Sequence, residues 1–178
     1  MKVKDMTLIA VFAALMAVCA WISVPAPVPF TLQTFAIFLA VGLLGGKRGS
    51  IAVAVYILLG AVGVPVFSGF NGGLGALLGM TGGYIVGFLA AALVMWATTA
   101  LFGNKTWILA LSMVLGLVVC YAMGTAWFMV VYARTKGAIT LLTVLTKCVF
   151  PFIIPDLIKI GLALVLTLRL KKLVPAAA

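Results

Sequence analysis

Six long apolar segments dominate the sequence and restrict what the chain can fold into. They cover residues 6–24, 32–44, 50–64, 83–102, 107–132 and 152–168, and the second is short unless it takes in the loop before it. A helix needs about 20 apolar residues to cross the hydrocarbon core of a bilayer. Because 66% of the residues are hydrophobic and only 8% are charged, the composition is typical of a membrane protein. We predict an all-α polytopic membrane protein with six transmembrane helices, forming one domain over residues 1–174.

Basic residues lie between the apolar segments and set the predicted orientation. The twelve Lys and Arg residues give a net charge of +10, but they do not form the single patch that nucleic acid binding requires. One side of the predicted bundle holds Lys2, Lys4, Lys47, Arg48, Lys105, Arg169, Lys171 and Lys172, and the other holds Arg134, Lys136 and Lys147. The positive-inside rule therefore predicts that both termini are cytoplasmic.

The two ends of the chain need separate interpretation. Lys2 and Lys4 before an apolar run resemble a secretory signal. That run is long for a signal and a second span follows soon, so we expect it to remain as the first helix. Residues 175–178, Pro-Ala-Ala-Ala, are interpreted as a cloning remnant.

Asp156 and Lys159 place two ionisable groups within the last apolar segment. An ionisable side chain at bilayer depth costs at least about 2.5 kcal/mol, so a chain with only two acids does not place one there without reason. The i,i+3 spacing puts both side chains on one helix face, within pairing distance. The favoured interpretation is a polar functional site, and the alternative is a structural ion pair near the interface.

Three loops face outward in this topology. The first, residues 24–33, has alternating prolines that favour an extended, polyproline-like path. The second contains seven glycines among residues 69–83 and no charge, which indicates backbone packed closely against a partner such as a ligand. The third, residues 134–150, is basic. Together these loops are predicted to form a lid over a cavity.

Small residues recur at helical spacing in two places. Gly75, Gly79, Gly83 and Gly87, followed by Ala91, form a stripe that lets helices approach closely, and we interpret it as packing. In the first helix, Ala10 pairs with Ala14 and Ala13 pairs with Ala17 at i,i+4. That smooth face is suited either to packing inside the bundle or to docking on another membrane protein, and spacing alone does not choose.

Several catalytic chemistries lack their residues. The sequence has no histidine, and Cys19, Cys120 and Cys148 lack zinc or disulfide spacing, so we expect no metal and no cofactor. Residues 42–48 resemble a phosphate loop but lack its spacing, and Arg48 replaces its hydroxyl residue. The two acids, Asp5 and Asp156, are predicted at opposite ends of the bundle. We therefore predict that the protein has no catalytic residues and is not an enzyme.

Five stretches carry a resemblance to the BioY family, in order along nearly the whole chain. The proline-led first loop and the glycine loop are the most specific of them. The stretches are residues 28–34 (Val-Pro-Phe-Thr-Leu-Gln-Thr), 46–49 (Gly-Lys-Arg-Gly), 63–73 (Gly-Val-Pro-Val-Phe-Ser-Gly-Phe-Asn-Gly-Gly), 81–84 (Thr-Gly-Gly-Tyr) and 155–159 (Pro-Asp-Leu-Ile-Lys). BioY proteins are biotin-specific substrate-binding subunits, or S-components, of energy-coupling factor transporters.

The resemblance implies a fold, a location and partners. The family has six helices, cytoplasmic termini, and a substrate cavity near the outer face of the cell membrane of a prokaryote. Its members have no ATPase of their own and work with a membrane coupling subunit and two ATP-binding-cassette ATPases. In related S-components an alanine motif on the first helix docks on the coupling subunit, which favours docking for Ala10, Ala13, Ala14 and Ala17.

The chemistry of biotin then suggests roles for the polar residues. Asp156 would accept ureido N–H groups, Asn71 can complement the ureido edge, and Lys159 can hold Asp156 ionised or bind the ureido oxygen or the carboxylate. Gln33 and Tyr84 offer further hydrogen bonds, although Gln33 is equally well interpreted as a first-turn polar residue. Phe67 and Phe70, with Phe30 and Trp127, are the aromatic candidates for the walls around the thioether ring.

Two other interpretations stay open at this level. An S-component for a different vitamin would share the fold, because a fold does not determine a ligand. An accessory membrane subunit without a small ligand would keep Asp156 and Lys159 only as an ion pair. A membrane enzyme is a more remote third.

Overall fold

The computed structural model describes residues 2–26 and 28–172, which form an almost entirely helical bundle. Eight α-helices are present in this part of the chain, together with two short strands and a 3-10 turn at Ser68–Phe70. In chain order the elements are α1 Val3–Trp21, β1 Ser23–Val24, β2 Phe30–Thr31, α2 Gln33–Leu44, α3 Gly46–Ala61, α4 Leu74–Leu78, α5 Gly82–Phe102, α6 Thr106–Lys136, α7 Leu141–Cys148 and α8 Phe150–Leu170.

Each of the six predicted apolar segments forms a helix, but the helices differ in length. Within the described ranges, α1, α5, α6 and α8 are long and apolar enough to cross a membrane. Helix α2 is apolar but has only 12 residues, so it rises about 18 Å, well short of the roughly 30 Å of hydrocarbon. Helix α3 has 16 residues and follows α2 after Gly45 alone, whose φ of 80° suits glycine. The structure thus gives four full-length spans and a shorter helical hairpin.

The predicted loops contain more regular structure than expected. The proline-bearing first loop folds back as a hairpin, in which Ser23 pairs with Thr31 and Val24 with Phe30. The ends of this loop are therefore extended, as predicted, and are paired as strands. Its Pro27 lies outside the described residues. The basic third loop is largely helical: α6 continues to Lys136, and α7 begins where the Thr140 hydroxyl accepts a hydrogen bond from the Thr143 N–H.

The glycine stripe packs helices only in its second half. A Cβ on Gly83 would lie 2.1 Å from the Cβ of Trp127, and one on Gly87 would lie 3.2 Å from Cys120, so both glycines let α5 approach α6 closely. In contrast, Gly75 meets nothing within 4 Å and belongs to α4, and Gly79 follows that helix. Treating the stripe as one packing surface was therefore wrong, because the chain turns between Gly79 and Gly83.

The alanine pairs of α1 lie on different faces of the helix. Ala13 and Ala17 are buried against the rest of the bundle, with 3% and 5% of their surface exposed. Ala10 and Ala14 are exposed. At the same end of the bundle as the N-terminus, Asp5 forms an ion pair with Arg48 of α3, with 3.1 Å between their charged atoms. Helices α1 and α3 are thereby joined at the end opposite Trp21.

Candidate ligand-binding site

A cavity of about 510 Å³ lies at the Trp21 end of the bundle. Its walls come from β2, the start of α2, the glycine-rich segment (residues 66–79), the start of α5, the middle of α6, Cys148 and the start of α8. The cavity has room because α2 is short. The helix begins at Gln33, which lines the cavity, and a longer helix would occupy this space. The volume is within the range of sites that enclose a small organic molecule.

Asp156 and Lys159 form a buried ion pair in the cavity wall. Helix α8 begins at Phe150 with a proline in its first turn, which places both residues in the following turns on one face. Only 2.7 Å separate Lys159 Nζ from Asp156 Oδ1, and the residues are 5% and 4% exposed. The predicted pairing is confirmed. The ammonium also donates to the Thr31 carbonyl at 2.6 Å and lies 4.0 Å from the centre of the Phe30 ring.

The carboxylate of Asp156 has further partners that fix its position. Thr34 donates its hydroxyl to Oδ1 at 2.9 Å, and the Tyr121 hydroxyl donates to Oδ2. With Lys159, these bonds occupy about three of the four lone-pair sites of a carboxylate. Asp156 therefore has capacity for about one more donor, on Oδ2. Lys159 reaches Thr34 only at 3.4 Å, the longest of its contacts and so the weakest.

A second set of hydrogen bonds continues from this pair to helix α3. The Thr31 hydroxyl donates to the side-chain oxygen of Gln33 at 2.9 Å, and the Gln33 amide nitrogen donates to the hydroxyl of Tyr56. Tyr56 is fully buried and donates in turn to the carbonyl of Val66 at 3.1 Å. A continuous polar chain thus joins α8, β2, α2, α3 and the glycine-rich segment. Such networks rigidify a site when every member is satisfied.

The glycine-rich segment is folded tightly enough to need glycine. Gly69 has φ 70° and Phe70 has φ 58°, in the left-handed region. The Phe67 N–H donates to the Asn71 carbonyl, and the Asn71 side chain donates to the Ser68 carbonyl, each at 2.9 Å. These bonds close a turn that directs Phe67 into the cavity wall and Phe70 outward.

Tyr84 presents a buried hydroxyl with no well-formed hydrogen bond among residues 2–26 and 28–172, and the Thr125 hydroxyl is a hydrogen-bonding group beside it. The tyrosine lines the cavity and is 6% exposed. Its ring occupies space left by Gly124 of α6, where a Cβ would lie 2.2 Å from the ring. A buried hydroxyl without a well-formed hydrogen bond costs free energy, so a ligand atom in the cavity can compete with Thr125 for this one.

Comparison with known proteins identifies the family. A family model described as the BioY family matches residues 1–176. The chain belongs to the BioY family. The biotin transporter BioY of Thermotoga maritima is 45% identical over 164 residues, which cover 92% of this chain and 93% of that protein. The biotin transporter BioY of Rhodobacter capsulatus is 34% identical over 166 residues, covering 88% and 87%.

A solved structure agrees in fold as well as in sequence. The crystal structure of an S-component for biotin from an ECF-type ABC transporter superposes with a TM-score of 0.83. The two chains are 30% identical, and the match covers 96% of this chain and 92% of that one. Together with the apolar helices, this places the BioY-family chain among multi-pass membrane proteins.

The structure brings most of the predicted site residues of this BioY-family chain to one place. The predicted residues that line the cavity are Phe30, Gln33, Phe67, Asn71, Tyr84, Asp156 and Lys159. Phe70 does not line it: the side chain is 63% exposed, and its ring stacks on Trp21 with 5.0 Å between centroids. Trp127 also lies outside the lining, with its Nε1 donating to the Gly79 carbonyl at 2.9 Å. The positive φ values at Gly69 and Phe70 explain why two nearby phenylalanines point apart.

Sequence reasoning missed several residues that complete the site. Tyr121 and Thr34 hold the carboxylate of Asp156, and Thr31 holds Lys159. Cys120 and Cys148, which the sequence analysis excluded only from zinc and disulfide sites, also lie in the lining. Tyr121 had a usable signal, because it is a hydroxyl-bearing residue in the middle of an apolar segment. Within the described residues, no cluster of His, Cys, Asp or Glu is large enough to hold a metal ion.

Proposed function

We propose that this chain is the biotin-binding membrane subunit of an energy-coupling-factor uptake transporter. It captures biotin outside the cell and delivers it inward when it is coupled to an energising module. The observation that carries the proposal is the buried Asp156–Lys159 pair in the wall of a ligand-sized cavity. The BioY relatives, which are named biotin transporters, and the similar biotin S-component support the choice of ligand. The protein is a transport subunit and not an enzyme.

The ureido group of biotin fits the acceptor capacity of Asp156. One ureido N–H occupies the remaining site on Oδ2, and the second N–H faces the side-chain oxygen of Asn71, which is an acceptor. Two N–H donors do not both fit on a carboxylate that already holds Thr34, Lys159 and Tyr121. Biotin therefore meets Asp156 through a single charge-assisted hydrogen bond.

The remaining parts of biotin contact side chains that can bind the ligand without breaking a strong hydrogen bond within the protein. Tyr84, whose hydroxyl makes no well-formed hydrogen bond with the protein, donates it to a ligand oxygen. Lys159 exchanges its long contact with Thr34 for a ligand oxygen while keeping Asp156 and Thr31. The thioether ring packs against Phe67, which is 2% exposed in the wall. Gln33 supports these groups and does not bond to the ligand itself, because its side-chain oxygen and nitrogen are already hydrogen-bonded to Thr31 and Tyr56.

The proposed orientation rests on the positive-inside rule, which puts the end with the larger number of Lys and Arg residues in the cytoplasm. Six helices cross the plasma membrane, with both termini in the cytoplasm, and the cavity opens to the outside. The short α2 and α3 complete their crossings with the hairpin β1–β2 and with the segment 66–73, which lie over their outer ends. Asp5 and Arg48 then mark the cytoplasmic end.

The partners are a membrane coupling subunit and two ATP-binding-cassette ATPases. Ala10 and Ala14 are exposed on α1 and form the part of the alanine motif that is free to contact a coupling subunit in the bilayer. Ala13 and Ala17 are buried inside the bundle, so the docking role proposed for all four residues is restricted to the first pair.

Binding of biotin to the purified chain in the absence of ATP tests the proposed function. We expect calorimetry on protein in lipid nanodiscs to give one saturable site and expect unlabelled biotin to displace labelled biotin. A panel of other vitamins serves as the control and should not compete. No heat and no displacement would refute biotin as the ligand, and binding of a different vitamin would reassign the S-component.

A further inference from the structure

Tyr56 stands apart from the other polar residues near the cavity because it does not line it. The residue lies in α3 with none of its surface exposed. Its hydroxyl nevertheless bonds to two structures that do form the walls. It accepts from the amide of Gln33, and it donates to the carbonyl of Val66, which directly precedes Phe67.

Four contacts attach the glycine-rich segment to α3. The Tyr56 hydroxyl holds Val66, the Gly73 N–H donates to the Gly60 carbonyl at 2.6 Å, and the ring of Phe67 lies against Gly60. Tyr56 and Phe67 also meet edge to face, with 5.6 Å between ring centroids. Helix α3 thus fixes where Phe67 and the following Asn71 stand.

The same hydroxyl orients the opposite wall. Gln33 donates to Tyr56 with its amide nitrogen, which directs its side-chain oxygen toward the hydroxyl of Thr31. Thr31 in turn offers its carbonyl to Lys159. Removing the Tyr56 hydroxyl would leave the Gln33 amide and the Val66 carbonyl buried without a partner, and the amide would be free to rotate.

We infer that Tyr56 is a positioning residue that sets the distance between the glycine-rich segment and the Asp156–Lys159 pair without touching the ligand. The inference rests on the proposed function, because biotin is taken to bridge these two walls. A ligand held from both sides loses affinity when either wall becomes mobile, and most of such a loss appears in the dissociation rate.

Tyr56→Phe tests this inference because it removes one oxygen atom and keeps the ring. We expect biotin affinity to fall by about tenfold or more, mainly through faster dissociation, since two buried polar groups lose their partner. We also expect faster hydrogen exchange in the ligand-free protein at the amides of residues 66–73. Tyr132→Phe is the matched control: it makes the same change on α6, where Tyr132 stacks on Phe128 away from the cavity, and should alter neither quantity.

Gly60→Ala is a second variant that displaces the same segment while leaving the Tyr56 hydroxyl in place. Its Cβ would lie 2.0 Å from the ring of Phe67, so the ring must move. We expect the same two effects as for Tyr56→Phe. This variant keeps the inference testable if Tyr56→Phe does not fold.

The two readouts separate failure of this inference from failure of the proposed function. Unchanged affinity or unchanged exchange in folded Tyr56→Phe, or in Gly60→Ala where Tyr56→Phe does not fold, overturns the positioning role while leaving biotin binding by the wild type intact. If the wild type does not bind biotin, the proposed function fails, and the exchange measurement on ligand-free protein still decides whether Tyr56 holds the segment.

Discussion

Replacing Asp156 by Asn tests the centre of the proposed site. The side chain keeps its shape but loses its charge, and one acceptor becomes an N–H donor. If this donor replaces Oδ2, it would face the ureido N–H that Asp156 is proposed to accept, so two hydrogens would oppose each other. Lys159 would also lose its counter-charge where it is only 5% exposed.

The structure sets the size of the expected effect. A hydrogen bond to a charged group contributes about 1.5–3 kcal/mol, and leaving its partner buried and unpaired brings the loss to about 2–3 kcal/mol or more. Because about 1.4 kcal/mol corresponds to a tenfold change in affinity, biotin should bind about thirtyfold to a hundredfold more weakly. Titration calorimetry and thermal unfolding should be measured on the same preparation of Asp156→Asn.

Asp5→Asn provides a matched control for this change. It neutralises the other acid of the chain and weakens the ion pair with Arg48 at the opposite end of the bundle. We expect it to reduce stability and to leave biotin affinity nearly unchanged. If Asp156→Asn behaved in the same way, with lower stability but normal affinity, the pair would be structural and the reasoning would be refuted.

The remaining predictions concern the coupling face and the cavity wall. Ala10→Leu should weaken assembly with the coupling subunit in a pull-down while biotin affinity stays normal, because a bulky side chain separates closely packed helices. The same change at exposed Ala97 of α5 should weaken neither assembly nor biotin affinity. Loss of biotin binding with normal assembly in Ala10→Leu would contradict the prediction. Gly124→Ala should lower biotin affinity by about tenfold or more, because the new methyl would lie 2.2 Å from the Tyr84 ring and push it into the cavity. Gly161→Ala, where nothing lies within 4 Å, should bind normally, and equal affinities in the two variants would exclude a role for the Tyr84 position.

Membrane class, the helices of the six apolar segments and the ion pair could be predicted because each depends on local sequence. An apolar segment must pair its backbone polar groups internally when water is absent, so it forms a helix whatever its neighbours are. The i,i+3 spacing of Asp156 and Lys159 likewise fixes their proximity once the helix exists. The resemblance to the BioY family rested on motifs that follow one another along the chain, and it was confirmed.

Only the tertiary structure decided which side chains share the cavity. Tyr121 reaches Asp156 across 35 positions of sequence and Tyr56 reaches Gln33 across 23, and no local pattern encodes such pairings. Ala10 and Ala13 are each followed by an alanine four positions later, yet Ala10 is exposed and Ala13 is buried. The reason is that the neighbouring helices cover only one face of α1. Phe67 and Phe70 point in different directions because Gly69 and Phe70 have positive φ values, and the glycine content of the segment did not show which residues would adopt them. The sequence therefore determined the helices and their charges, whereas the packing of helices against one another determined the site, since distances across a bundle depend on residues far apart in the chain.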